Sequence, residues 1–158
     1  MTTTTITPDQ DAVVSEIDIA APADRVFQAL IDPKQVMHWW TNEQCAIEGF
    51  TFEAKPGGRW TYDTVSSKLN INGTNKFRCE GEVLEYDPPR VLAYSWFANW
   101  HDDKQRRTVV RWELTPHGKG TRVKVTHSGL LHEPAARKDY SGGWPGVVNQ
   151  LKQYLETY

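Results

Sequence analysis

The chain has 158 residues, 39% of them hydrophobic and 24% charged, with a formal net charge of −2. That is the size and make-up of one globular domain and excludes long disorder. The near-neutral balance gives no electrostatic case for nucleic acid or an anionic membrane, and no apolar run approaches the roughly 20 residues that cross a bilayer.

Met1 to Pro8 has neither a basic start nor an apolar stretch, so it is no secretory signal. Residues 1–10 read as a flexible polar tail ahead of a single domain at 11–158. Asp11 to Ala20 alternates, with Val13, Ser15, Ile17 and Ile19 on one side and Val14, Glu16 and Asp18 on the other, which predicts a half-buried strand. Ala21-Pro22-Ala23-Asp24 then puts proline in a first helical turn and an acid at the positive end of a helix whose stripe is Val26, Phe27, Ala29 and Leu30. Asp32-Pro33 stops that helix and opens a short second one, which runs into His38-Trp39-Trp40.

Period two returns at Phe50, Phe52 and Ala54, turns at Pro56-Gly57-Gly58, and continues through Trp60, Tyr62 and Thr64. Ser66 to Asn75 is polar and reads as a loop with a turn at Asn72-Gly73. Phe77, Cys79, Gly81 and Val83 alternate with Arg78, Glu80 and Glu82 in a strand ended by Asp87-Pro88-Pro89, and Leu92, Tyr94 and Trp96 share one face of the next. Asn99 to Arg106 is a polar connection. Val110, Trp112 and Leu114 alternate, and after a turn at His117-Gly118-Lys119-Gly120 so do Val123, Val125 and His127. Finally Trp144, Val147, Val148, Leu151, Tyr154 or Leu155, and Tyr158 fall at helical spacing. Gly142-Gly143 and Pro145 stand at the start of that pattern, where a break or a helix beginning is expected.

The order is one strand, two short helices, six strands and one long helix. It predicts an α+β domain in which an antiparallel sheet presents an apolar face to the last helix. The charged outer face is either solvated or available to a second copy of the chain.

Seven tryptophans in a chain this short are the informative excess. Trp60, Tyr62, Tyr94, Trp96, Trp112 and Trp144, with Phe77 and Val148 beside them, either wall a pocket for a flat or greasy ligand or fill a core. His127 shares their face, as a polar contact or general base, or as a structural histidine with satisfied nitrogens. Trp39-Trp40 either gates one end of such a pocket or anchors its helix. Cys79 has no sequence neighbour that would activate it and reads as an inert thiol; with Cys45 it makes no CxxC, which suits reduced thiols in a cytoplasmic protein. The spacing of His127, His132 and Glu133 fits neither a strand face nor a helical turn, so no metal is inferred. Gly57-Gly58 and Gly118-Lys119-Gly120 are hairpin turns with no following helix to cradle phosphate, so no cofactor is inferred either.

The order of elements and several local motifs resemble the helix-grip (START/SRPBCC) superfamily of lipid-transfer domains, birch-pollen-allergen-like proteins and polyketide cyclases. The motifs are Ala21-Pro22-Ala23-Asp24-Arg25-Val26-Phe27-Gln28-Ala29-Leu30, Trp39-Trp40, Pro56-Gly57-Gly58-Arg59-Trp60, Gly81-Glu82-Val83, Asp87-Pro88-Pro89-Arg90-Val91-Leu92, Gly120-Thr121-Arg122-Val123, Thr126-His127-Ser128-Gly129-Leu130 and Gly143-Trp144. Within that superfamily they are most similar to homologues of the activator of the 90-kDa heat-shock protein's ATPase. The resemblance implies a curved sheet of seven antiparallel strands wrapped around the long C-terminal helix, with two short helices after the first strand and a cavity between sheet and helix. Such cavities commonly take apolar small molecules, lipids or polyketides. The eukaryotic activators carry an additional N-terminal half, for which this chain has no room.

The leading expectation is therefore a cytoplasmic binding protein holding a hydrophobic or aromatic small molecule. The alternatives are a stress-related or co-chaperone-like module with a chaperone as partner, and a cyclase- or hydrolase-like enzyme; no catalytic residue is assigned.

Overall fold

Consecutive strands joined by short turns pair most simply with their chain neighbours, and the computed structural model, which describes residues 2–41 and 45–157, has six strands in that order. They are β3 (Ala46–Phe52), β4 (Arg59–Val65), β5 (Lys76–Asp87), β6 (Val91–Ala98), β7 (Thr108–His117) and β8 (Gly120–Ser128). β2 (Val13–Ile19) then lies antiparallel against β8, pairing Val13 with His127 and Ile19 with Thr121. This register puts Val13, Ile17 and Ile19 on the same buried side as Val123, Val125 and His127.

The expected count of seven strands is one short. Residues expected to form a flexible tail contain an edge strand, β1 (Thr3–Ile6), which pairs antiparallel with β2, Thr3 opposite Glu16 and Ile6 opposite Val13. The sheet therefore has eight strands in the order β1-β2-β8-β7-β6-β5-β4-β3. The cause is local. Threonine is β-branched and suits a pleated edge, and a row of threonines has no apolar alternation to reveal it. The Thr4 and Ser15 hydroxyls meet at 2.7 Å, and the intervening turn is closed by Thr7 N–H donating to the Ala12 carbonyl at 2.9 Å.

Helix α1 (Ala23–Ile31) and helix α2 (Pro33–Trp39) follow β2, as the motifs require. Asp32 both ends α1, its N–H donating to the Gln28 carbonyl, and caps α2, its carboxylate accepting from Lys34 N–H at 3.1 Å. Gly81, in β5, is dictated by close approach: a Cβ there would stand 1.9 Å from the Ser95 carbonyl oxygen of β6.

The last helix, α3 (Pro134–Thr157), corrects the expected break at Gly142-Gly143. It begins eight residues earlier, with proline in its first turn, and runs through both glycines and Pro145. Its buried stripe is Ala136, Tyr140, Trp144, Val148, Leu151 and Leu155, a spacing of four or three throughout. Packing of that stripe on the sheet outweighs the weak helix preference of glycine and proline. Tyr158, placed at the end of the stripe by its spacing, lies outside the described residues. No described helix is long and apolar enough to cross a membrane.

Candidate functional site

Rings from the sheet and from α3 meet in two zones. In the inner zone the polar ring atoms of Trp60, Trp112 and His127 all have partners. Trp60 is 1% exposed and its indole N–H donates to the Ser95 carbonyl at 2.9 Å. Trp112 is fully buried and donates to the Tyr94 hydroxyl at 2.9 Å. His127 is fully buried beneath α3. The Trp144 indole N–H can only donate, so His127 Nδ1 accepts it at 3.2 Å. His127 Nε2 therefore carries the proton and donates to Thr108 Oγ1 at 2.8 Å, and that hydroxyl donates to the Trp96 carbonyl at 2.6 Å. Burial, with His101 nearby, holds His127 well below the usual histidine range and hence neutral. Both its nitrogens are occupied and neither reaches open space.

The outer zone is a cleft of about 410 Å³ at one end of the sheet–helix interface. From the strands it takes Tyr62 and Thr64 of β4, Phe77 and Cys79 of β5, and Trp96 of β6. From α3 it takes Asp139, Tyr140, Gly142, Gly143, Trp144 and Val147. Trp40, Cys45, Leu69, Ile71 and Trp100 complete it from the connections. Four of the nine residues singled out from sequence, Tyr62, Phe77, Trp96 and Trp144, thus line one cleft, while Trp60, Tyr94, Trp112, His127 and Val148 are buried and do not line it.

Trp39 and Trp40 divide the two roles considered for them. The Trp39 indole donates to the Ala29 carbonyl at 2.8 Å and fastens α2 to α1. Trp40 turns its ring to the cleft, 4.7 Å from Tyr62 and 6.0 Å from Trp144 between ring centroids. Tyr140 sits deeper, its hydroxyl accepting from the Trp96 indole at 3.1 Å and hydrogen-bonded to His101 Nε2 at 2.8 Å. Burial pushes the phenols of Tyr62 and Tyr140 and the thiol of Cys79 up, so none is ionised near neutral pH.

The mouth is built by the two polar connections, and both are fastened. In residues 66–75, Ser66 Oγ accepts from Lys68 and Leu69 N–H at 3.1 and 2.9 Å. Asn72 and Gly73 both adopt positive φ, the combination a tight hairpin turn needs. The Asn72 amide then donates to the Trp100 carbonyl at 2.8 Å and ties this hairpin to the second connection. That connection is held in turn by Glu133, 1% exposed, whose carboxylate accepts from Asp102 N–H at 2.9 Å, Asp103 N–H at 3.1 Å and Arg106 Nε at 2.8 Å. Trp100 is carried on the segment so pinned and packs 5.2 Å from Tyr140. A larger depression of about 620 Å³ lies on the outer face of β4–β6, but its walls carry Arg59, Glu80, Glu82, Lys104 and Arg107 and suit water better than an apolar guest.

Residues 20–156 match the family described as activator of Hsp90 ATPase homolog 1-like proteins. The chain belongs to that family. Among solved structures, a Rhodobacter sphaeroides protein superposes with a TM-score of 0.82 at 16% identity over 100% of both chains. A Mesorhizobium loti protein gives 0.71 at 26% identity over 92% of this chain and 97% of that one. An AHSA1-like protein from Aeromonas hydrophila gives 0.70 at 21% identity over 92% of each. No curated protein matches by sequence. The helix-grip arrangement of this activator-homologue family is thus present with the sheet, the two short helices and the gripped α3 in place.

Within this family member, sequence reading missed Trp100, Asp139 and Tyr140 as cleft residues. Trp100 sits in a stretch too polar to read as a wall. Tyr140 and Asp139 lie ahead of the glycines taken for a helix boundary; extending the stripe back by four residues from Trp144 reaches Tyr140 and was the available signal.

Gly142 and Gly143 form part of the wall, and a Cβ at either would meet nothing within 4 Å. Glycine inside a helix costs about 1 kcal/mol relative to alanine. The double variant Gly142→Ala/Gly143→Ala is therefore expected to be about 1–2 kcal/mol more stable to urea and to bind apolar probes less well. A loss of stability would show that the helix needs glycine there for reasons other than room.

Proposed function

We propose that the chain binds a hydrophobic or aromatic small molecule in the cleft between the sheet and α3. The observation that carries this reading is the cleft itself: about 410 Å³, with seven aromatic side chains among its sixteen lining residues. That volume lies within the range of small-molecule sites, and affinity would come from burial of apolar area at about 25 cal/mol per Å². The position supports it too, since the void persists although the inner rings are closely packed. Cys45 and Cys79 are in no disulfide, which supports a cytoplasmic location.

The test is native mass spectrometry of protein purified from its own host, followed by denaturing extraction. A stoichiometric apolar compound, lost in a Trp100→Ala variant, is the expected result. Protein recovered empty, and unresponsive in tryptophan fluorescence to any apolar probe, would overturn the reading. The second reading, a co-chaperone-like module, is supported by the family's description. Retention of an Hsp90-type chaperone from lysate by protein with an empty cleft would favour it.

A further inference from the structure

The charge of the cleft is one-sided. Of its sixteen described lining residues only Asp139 is ionisable to a charged form near neutral pH, and no lysine, arginine or histidine is among them. Asp139 is exposed at the rim of α3 and makes no hydrogen bond or ion pair among the described residues. Partial burial raises its carboxyl above the ordinary value, against a smaller opposing pull from the neighbouring Lys138. Tyr140 is the next residue along α3 and Trp144 lies more than one turn further on; their ring centroids are 6.4 Å apart, and Trp40 and Trp96 stand 6.0 and 5.8 Å from Trp144.

Aromatic faces carry negative potential and attract cations, best of all tryptophan. An anion entering here would meet those faces and a carboxylate, and the described lining residues offer it no cation; Lys138, beside Asp139 on α3, is not among them. A neutral guest gains burial alone. A cation gains burial, the ring faces and the carboxylate together. We propose that the preferred guest is a lipophilic organic cation, with its apolar body against the aromatic wall and its ammonium group between the rings and Asp139. This rests on the cleft being a binding site and names the class of guest.

The test uses three probes of one shape, followed by tryptophan fluorescence and calorimetry on the full chain: benzyltrimethylammonium, its uncharged isostere neopentylbenzene, and the anion benzylsulfonate. The cation is expected to bind about ten-fold more tightly than neopentylbenzene, and the sulfonate more weakly than either. Asp139→Asn, a surface change checked by an unchanged thermal melt, is expected to weaken the cation about three-fold and to leave neopentylbenzene as it was. Equal affinity for the cation and neopentylbenzene would overturn the inference and leave the cleft reading standing. So would an Asp139→Asn variant that holds the cation unchanged, or one that loses both probes alike. Failure of all three probes to bind would overturn both.

Discussion

Replacing Glu133 by glutamine is expected to destabilise the fold by about 2–3 kcal/mol at neutral pH, through two backbone N–H groups that lose a charged acceptor. Glu133 is the last residue before α3, and its carboxylate is 1% exposed in a position reached by donors only: the N–H groups of Asp102 and Asp103 and the Arg106 guanidinium. Burial alone would raise its carboxyl, but the Arg106 hydrogen bond and the two backbone donors outweigh it and hold the group below its ordinary value of 4.5. A carboxyl depressed on folding contributes stability that is fully present above that ordinary value and is lost as pH falls through the lower folded value. The difference between wild type and Glu133→Gln should therefore be largest at neutral pH and shrink in acid, because glutamine has no proton to gain. Urea unfolding across that window checks it, and a gap that stays constant with pH would show that the charge is not what matters. The same variant should weaken ligand binding, since the pinned segment carries Trp100 into the cleft wall.

This linkage marks where sequence reading stopped. The strand faces were legible because period-two alternation reports burial directly, and Trp112, Val125 and His127 lie on the face their phase assigned them. The family resemblance rested in part on Pro22, whose carbonyl accepts from Arg25 and Val26 N–H at the start of α1, and on Gly81, where a Cβ would meet the Ser95 carbonyl. The edge strand at Thr3–Ile6 was not legible, because its hydrogen bonds come from β2 and its side chains bury little. Nor was the limit of the cleft. Whether an inward ring fills the core or lines a void depends on what stands opposite. Trp112 packs against Trp144 and hydrogen-bonds Tyr94, whereas Tyr62 and Phe77 line the cleft with two glycines of α3 and residues of the 66–75 connection. A buried glutamate clamping an apparently free polar connection from about 30 residues away is a tertiary fact with no periodic signature.

The separation of core from cleft carries the other large prediction. Trp112→Ala is expected to cost about 3–5 kcal/mol, as removal of a fully buried ring leaves a void the neighbours close only in part. Trp112 has no exposed surface, packs edge-on to Trp144 at 5.8 Å and gives its indole N–H to Tyr94, so nothing solvates the gap it leaves. Trp100→Ala should behave differently. Trp100 is only partly buried and packs against Tyr140 and His101, so its loss should cost about 1–2 kcal/mol, in keeping with partial burial. The free energy of ligand binding should move the opposite way, with Trp100→Ala losing affinity while remaining folded. Urea midpoints and probe titrations on the two variants together decide the matter. If Trp100→Ala proves as destabilising as Trp112→Ala, the outer rings are core like the inner ones. If it costs little stability and abolishes binding, the rings of the outer zone are held in place by the fold and left uncovered for a guest.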